Sequence, residues 1–370
     1  MSDMQAIILQ SANKIFLKHM TKDAVDQAEN GHFPTDLWMD LQEAGLLLIG
    51  IEEEDGGNGG DLADGLKLMQ LAGKFSAPIP LAETLIGNWL LAETGLGIST
   101  EMKSHPSLYS LNENHISFES GCISGMVPYV PYGREANHVM AFLERGQELE
   151  LVLLPVQAAK IKTGKNLAGE VRDTLVFGKV PLKELEHCPI APELRERMIC
   201  LGALARIGMM TGAMERIMEL TLEHVQTRHQ FGKPLSRQQA IQQHIALLAG
   251  ELAAAKAAFN NAVASIESGY LTRDIALAKI RLNEGAGKFA KTAHQIMAAI
   301  GFTHEHSLHH STRRLWSYRD EFGSEADWSK VIANQLRQRN QNGNQNGLWE
   351  YITGQHTPKG ERNERLTIYR

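Results

Sequence analysis

Apolar residues recur at helical spacing through most of the first hundred positions. AIILQSANKIFLKHM (6–20), FPTDLWMDLQEAGLLLIG (33–50), DLADGLKLMQLAGKF (61–75) and PLAETLIGNWLLAETGL (80–96) each predict a helix. Between the second and third lies GIEEEDGGNGGD, an acidic, glycine-rich connector. Near residue 115 the period changes. HISFESGCISGMVPYVPYG (115–133), NHVMAFLE (137–144), LELVLLP (149–155), AAKIKTG (158–164) and DTLVFGKVPL (173–182) are short and broken by Gly or Pro, as in a small antiparallel barrel or sandwich. From about 193 the helical period returns in four long stretches: 191–231, 238–269, 272–301 and 324–340. The expected class is therefore α+β: a helical domain over 1–112, a β domain over 113–192 and a four-helix bundle over 193–340. A flexible polar tail, 341–370, follows, its one docking point, LWEYI (348–352), expected against a neighbouring subunit.

Composition changes this picture little. The chain has 370 residues, 43% hydrophobic and 22% charged, with a formal net charge of −6. That profile points away from nucleic-acid and membrane surfaces. Three scattered cysteines, Cys122, Cys188 and Cys200, lack metal spacing and suit a reduced setting. The N-terminus lacks a signal-peptide pattern, which makes the cytoplasm the expected location.

No phosphate loop ending in GK[ST], no GxGxxG after a strand and no GxSxG elbow is present. THEHSLHH (303–310) would put His306, His309 and His310 on one helical face, a spacing metals use. With Glu305 the one carboxylate inside it, an exposed, partly protonated His-rich turn is the preferred reading and no metal is expected. TRHQFGKPL (227–235) offers Arg228, Gln230 and Phe231 at the end of a long helix, broken by Gly232. A guanidinium there can pair with a diphosphate and a phenyl ring can stack on a planar one.

The chain resembles the acyl-CoA dehydrogenase family over about residues 1–335. The stretch R-x-x-F-G-K-x-[IL]-x-x-x-Q-A-[IV] is matched by Arg228, Phe231, Gly232, Lys233, Leu235, Gln239, Ala240 and Ile241. GIEEEDGGNGG, GMVPYVPYGREANHVMAF and AHQIMAAIGFTHEH are similar to three further family stretches, in the family's order. The resemblance implies a helical domain, a β domain and a four-helix bundle. It implies FAD held by Arg228, Phe231 and Gln239 across a subunit interface, with Gln295 and Gly301 at the diphosphate end. It also implies an acyl-CoA substrate, an electron-transfer flavoprotein-type acceptor and a dimeric or tetrameric assembly, homo- or hetero-oligomeric.

Family chemistry removes an α proton with a carboxylate while flavin accepts the β hydride. In SYRDEFGSEADWSKVIA (317–333), counting places Phe322 or Gly323 at the base position, and a shift of one places Glu321 there. Glu321 is thus the candidate base. The family's alternative base position, early in the first bundle helix, falls on Gly202. Glu215, further along, is expected to face solvent or pair with a neighbour. Tyr129, Val130 and Pro131 replace the family's W-I-T, and Ala298-Ala299 replaces its double glycine, crowding a diphosphate. The half-site meant for a neighbour's flavin looks intact and the chain's own looks eroded. Three readings stay open: a dehydrogenase, possibly the base-lacking subunit of a hetero-oligomer; a flavin-dependent monooxygenase; and a non-catalytic structural subunit.

Overall fold

The computed structural model describes residues 3–96, 107–109, 115–266, 271–341 and 351. Five helices come first: α1 (Asp3–His19), α2 (Lys22–Glu29), α3 (Thr35–Glu43), α4 (Leu62–Lys74) and α5 (Leu81–Thr94). Side chains specify the starts of α2 and α4. Thr21 accepts from the Ala24 amide at 3.1 Å to open α2, and Asp61 and Asp64 form a reciprocal capping box on α4. Helix α5 is buried on every side from Leu81 to Leu91, so it is an interior rod. The acidic connector is stapled by an Ile51–Gly59 bridge, and a Cβ on Gly57 would lie 2.1 Å from the Ile51 carbonyl.

The β region is two four-stranded sheets. Strands β1 (Ser107–Tyr109), β4 (His138–Arg145), β5 (Glu148–Pro155) and β8 (His187–Ile190) form one, in that order. Strands β2 (His115–Glu119), β3 (Cys122–Pro131), β7 (Arg172–Pro181) and β6 (Ala159–Lys162) form the other. The expected antiparallel pattern holds for every described pair in these sheets except β1–β4, which run parallel. Ile123, Val127, Val139, Val152, Leu154 and Leu175 fill the space between the sheets. Met140, Phe142, Leu151 and Leu153, at alternating positions of β4 and β5, join the helical core instead. Strand β3 slips register between Val127 and Val130, and Tyr129 within the bulge has a positive φ of 54°.

The C-terminal layer contains α6 (Pro192–Thr227), α7 (Gln239–Ala264), α8 (Leu271–Met297), α9 (Leu308–Asp320) and α10 (Glu325–Gln341). Pro192 opens α6 at its first turn, where a missing N–H costs nothing. Backbones of α4 and α6 touch: a Cβ on Gly212 would lie 1.9 Å from the Gln70 carbonyl, and one on Gly73 2.2 Å from that of Met209. By length and composition α6 could span a membrane, yet 89% of its most apolar window is buried in the protein.

Three expectations are corrected here. The bundle has a fifth helix, α9, whose first residues, 308–310, are buried where the expected histidine-rich turn was to end exposed; residues 303–307 do form a turn, with His304 and Glu305 exposed. Its buried residues include His309, His310, Ser311, Thr312, Arg314 and Ser317 beside Leu308, Leu315 and Tyr318, so polar side chains dilute the apolar period of its buried face. Helix α6 ends at Thr227, not Gly232. Arg228 is its C-cap, and His229–Gln230 (β9) pairs with Lys233–Pro234 (β10) in a two-residue hairpin. Finally, the described part of LWEYI docks on its own chain. Tyr351 is buried, its carbonyl accepts from Arg273 Nη1 at 2.9 Å and its hydroxyl donates to Gln335. Residues 348–350 and 352 lie outside the described residues.

Candidate active site

The turn between α9 and α10 carries the candidate base. Glu321 caps α9, Phe322 follows at φ 60° and Gly323 at φ 97°. Beside it opens a cavity of about 370 Å³ whose walls include Tyr129 and Pro131 from the bulged strand, Trp316 of α9 and Phe322. Glu321 faces this space with its side chain 21% exposed.

Glu321 is held by two guanidiniums. Arg206 Nε of α6 donates to Oε2 at 2.5 Å and Arg172 Nη2 of β7 donates to Oε1 at 3.0 Å. Asn166 adds a longer contact of 3.4 Å. Arg206 also pairs with the buried Glu83 of α5. Arg172 reaches Glu170 at 3.0 Å, and Glu170 in turn accepts from the Tyr318 hydroxyl at 2.8 Å and lies 3.2 Å from Arg314 Nε. Three carboxylates thus face three guanidiniums in one buried, charge-balanced network, which is how such charges survive burial. Burial pushes the Glu321 carboxyl up, but Arg172 and Arg206 outweigh it and hold it below the usual range. Glu170 follows the same logic: burial raises it, Arg314 and Arg172 overcome that, and it falls to about 2.

Arg206, Arg172, Glu83 and Glu170 escaped the sequence reading. A signal existed for two of them: Glu83 and Arg206 are lone charges inside otherwise apolar helical runs, a pattern that asks for a buried partner. Arg172 and Glu170 had no such mark.

Phe322 explains Gly202. A Cβ on Gly202 would stand 2.2 Å from Phe322 Cε1, so the ring fills the space where an acid from α6 would project. Glu215 pairs as expected, with Lys256 at 2.8 Å and Gln70 at 3.0 Å.

The remaining candidates lie elsewhere. Arg228, Phe231 and Gln239 are all exposed at the far end of α6 and the start of α7, Phe231 at 91%. Phe231 (φ 54°) and Gly232 (φ 76°) form the hairpin tip, both with positive φ, the geometry of a type I′ turn that favours Asn-Gly. A bulky ring there is strained and points at open solvent. By helical rise Arg228 is about 33 Å from Arg206 along α6, so the hairpin does not reach the cavity beside Glu321. Gln295 is exposed on the last turns of α8, whereas Gly301 is buried, a Cβ there lying 2.8 Å from Met297 Cβ. Ala298, exposed at φ 51°, keeps a glycine-type backbone without glycine. The neighbouring His294 ring stacks on exposed Phe302 at 4.6 Å and on Trp316 at 6.0 Å, linking this end of α8 to the cavity wall.

His309 and His310 meet Asp26 of α2, with one potential ligand atom from each lying within 4.8 Å of the others. His306 is not part of that group; its Nδ1 accepts from the Leu308 amide. The group has the wrong surroundings for a cation. Lys22 sits 2.5 Å from Asp26, and Arg313 donates to His309 Nδ1 at 3.1 Å. Burial pushes His309 down to about 4 and His310 to about 3, so both rings are neutral near pH 7, and His310 ties α9 to α2 through its 2.8 Å contact with Asp26.

Comparison with known proteins agrees with this layout. Residues 2–101 match the family model described as acyl-CoA dehydrogenase, N-terminal domain, and residues 197–336 match its C-terminal domain. "Acyl-CoA dehydrogenase IpdE2" of Mycobacterium tuberculosis is 27% identical over 307 residues, covering 82% of this chain and 88% of that one. Among solved structures, the ChsE4–ChsE5 complex of M. tuberculosis superposes with TM-score 0.82 at 17% identity, over 91% of this chain and 98% of that one. Butyryl-CoA dehydrogenase from Megasphaera elsdenii superposes with TM-score 0.80 at 18% identity, over 91% and 99%. With both family models matched in order on either side of the β sheets, the chain belongs to the acyl-CoA dehydrogenase family of flavoprotein oxidoreductases.

Proposed function

We propose that the cavity beside Glu321 is where this chain dehydrogenates an acyl-CoA, with Glu321 taking the α proton. The observation that carries this is Glu321 itself, a carboxylate set on a turn and facing a cavity walled by the bulged strand and Trp316. Arg172 and Arg206 keep it ionised, ready to accept a proton, and they orient both oxygens. FAD, when bound, accepts the β hydride. The residues present fit such a group: exposed rings on Tyr129, Phe231 and Phe302 suit a planar system, and the exposed Arg228, Gln239 and Gln295 suit a diphosphate. The separation along α6 supports Arg228, Phe231 and Gln239 serving the FAD of a second subunit, with an electron-transfer flavoprotein as acceptor. Three free cysteines suit a reducing compartment and support a cytoplasmic setting.

The pinning of Glu321 favours a second reading, in which this chain lends its hairpin to a partner that supplies the base. Pro131, which has no N–H to offer a flavin, points the same way. The test is Glu321→Gln in the purified, FAD-loaded protein, followed by bleaching of the flavin band on mixing with acyl-CoA and by exchange of the α proton with D₂O. Loss of both supports Glu321 as base. Unchanged bleaching moves the base to another residue of this chain, and a purified parent that bleaches only after a partner chain is added supports the second reading.

A further inference from the structure

We propose that Lys279 of α8 is a positioning residue for Glu321: it grips the end of α9 and so fixes the turn on which the carboxylate stands. This rests on the reading of Glu321 as base. Lys279 is fully buried, yet among the described residues no carboxylate lies within ion-pair distance of its ammonium. Its Nζ instead donates to the carbonyls of Tyr318 at 2.6 Å and Arg319 at 3.3 Å. One turn along α8, Asn283 Nδ2 donates to the same Arg319 carbonyl at 2.9 Å.

Those carbonyls are the ones a helix leaves unmet at its C-terminus. No glycine at the C-cap turns α9 back to cover them, because that position is Glu321, in extended geometry. The capping is done from a second helix. On the far side of the turn, Trp328 Nε1 donates to the Phe322 carbonyl at 2.8 Å. Glu321 therefore stands between two anchors, Lys279 with Asn283 before it and Trp328 after it. Burying a lysine without an ion pair is costly, and its burial calls for an explanation. Burial pushes its pKa down to about 7, against the opposing pull of Glu321, Asp320 and Glu325 and with the repulsion of Arg206. A group that gives up much of its charge still donates hydrogen bonds, which is the role the geometry assigns it. Lys279 does not line the cavity beside Glu321, so it acts through the backbone.

The experiment compares Lys279→Met, Lys279→Gln and Glu321→Gln in the FAD-loaded protein, with circular dichroism as a check on folding. A displaced base slows proton transfer more than it weakens binding. Lys279→Met is expected to lower kcat by about tenfold or more with KM within about threefold, and to raise the isotope effect on α-deuterated acyl-CoA. Lys279→Gln, which keeps an N–H donor but carries no charge, is expected to recover most of the rate. Should Lys279→Met fail to fold, Lys279→Gln carries the test: near-normal kcat with an unchanged isotope effect supports the hydrogen-bonding role, and a rate loss equal to that of Glu321→Gln overturns it. Lys279→Met with unchanged kcat and isotope effect, while Glu321→Gln is inactive, overturns the positioning role alone. A fully active Glu321→Gln overturns the base assignment and the proposal with it.

Discussion

The Gly202–Phe322 contact gives a prediction whose sign depends on background. Replacing Gly202 by Ala sets a methyl 2.2 Å from Phe322 Cε1, about 1.2 Å short of ordinary contact. The ring has little freedom to withdraw. Its backbone is at φ 60°, its carbonyl accepts from Trp328, and its face lies 5.5 Å from the Arg206 guanidinium. Overpacking of this kind costs roughly 1–3 kcal/mol. Against it, Gly→Ala inside a helix gains roughly 1 kcal/mol. Gly202→Ala should thus destabilise by about 1 kcal/mol in the natural background. In a Phe322→Ala background the clash is gone and the same change should stabilise by about 1 kcal/mol, a coupling of about 2 kcal/mol. Urea unfolding of the four proteins, compared at equal slope, measures the cycle. Gly202→Ala at or above the stability of the parent, with Phe322 in place, refutes the packing described here.

Phe231→Asn creates the Asn-Gly that a type I′ turn prefers and buries nothing less. It should raise the stability of the cofactor-free chain by up to about 1 kcal/mol while lowering FAD retention, measured by thermal shift and by flavin absorbance. Glu83→Ala leaves Arg206 with one carboxylate partner in a buried site and should cost about 3 kcal/mol, read from the urea midpoint; a loss below about 1 kcal/mol contradicts the network. His309 and His310 have folded values of about 4 and about 3, below the ordinary 6.5. Their contribution is therefore complete above pH 6.5 and is lost as pH falls towards those values, by at most about 1.4 kcal/mol per unit for each ring. His310→Asn should flatten the fall in urea midpoint between pH 6.5 and 4.5, and an unchanged slope contradicts the assignment.

Most of the architecture was legible because it rests on period. Four of the five helices of the first hundred residues and the three longest of the bundle carry apolar residues every three or four positions, and the strands break at Gly and Pro; the short α2, which buries Val25 and Ala28, was not read. Helix α9 was missed because much of what it buries is polar: His310, Arg313 and Arg314 reach Asp26, Glu29 and Glu170, beside the Leu308, Leu315 and Tyr318 that join the apolar core. Periodicity reads weakly where an inner face mixes ion pairs with apolar residues. The candidate site was legible in part. Glu321 could be narrowed only to within a residue, since a positive-φ turn at Phe322–Gly323 leaves no pattern for counting. The guanidiniums that hold it come from a strand and a helix distant in sequence, and such convergence exists only after folding. Phe231 and Arg228 could be named from local order, but not that Phe231 stands on a strained hairpin tip.

The distance along α6 between the Glu321 cavity and the Phe231 hairpin has a consequence for mixed assemblies. A chain damaged at one end keeps the other end whole. If each complete site draws its carboxylate from one copy and its hairpin from the next, a copy lacking Glu321 and a copy lacking Phe231, both inert alone, restore one working site when they assemble together. Damage at both ends of a single chain has no such remedy, so two lesions are complemented in trans but not in cis.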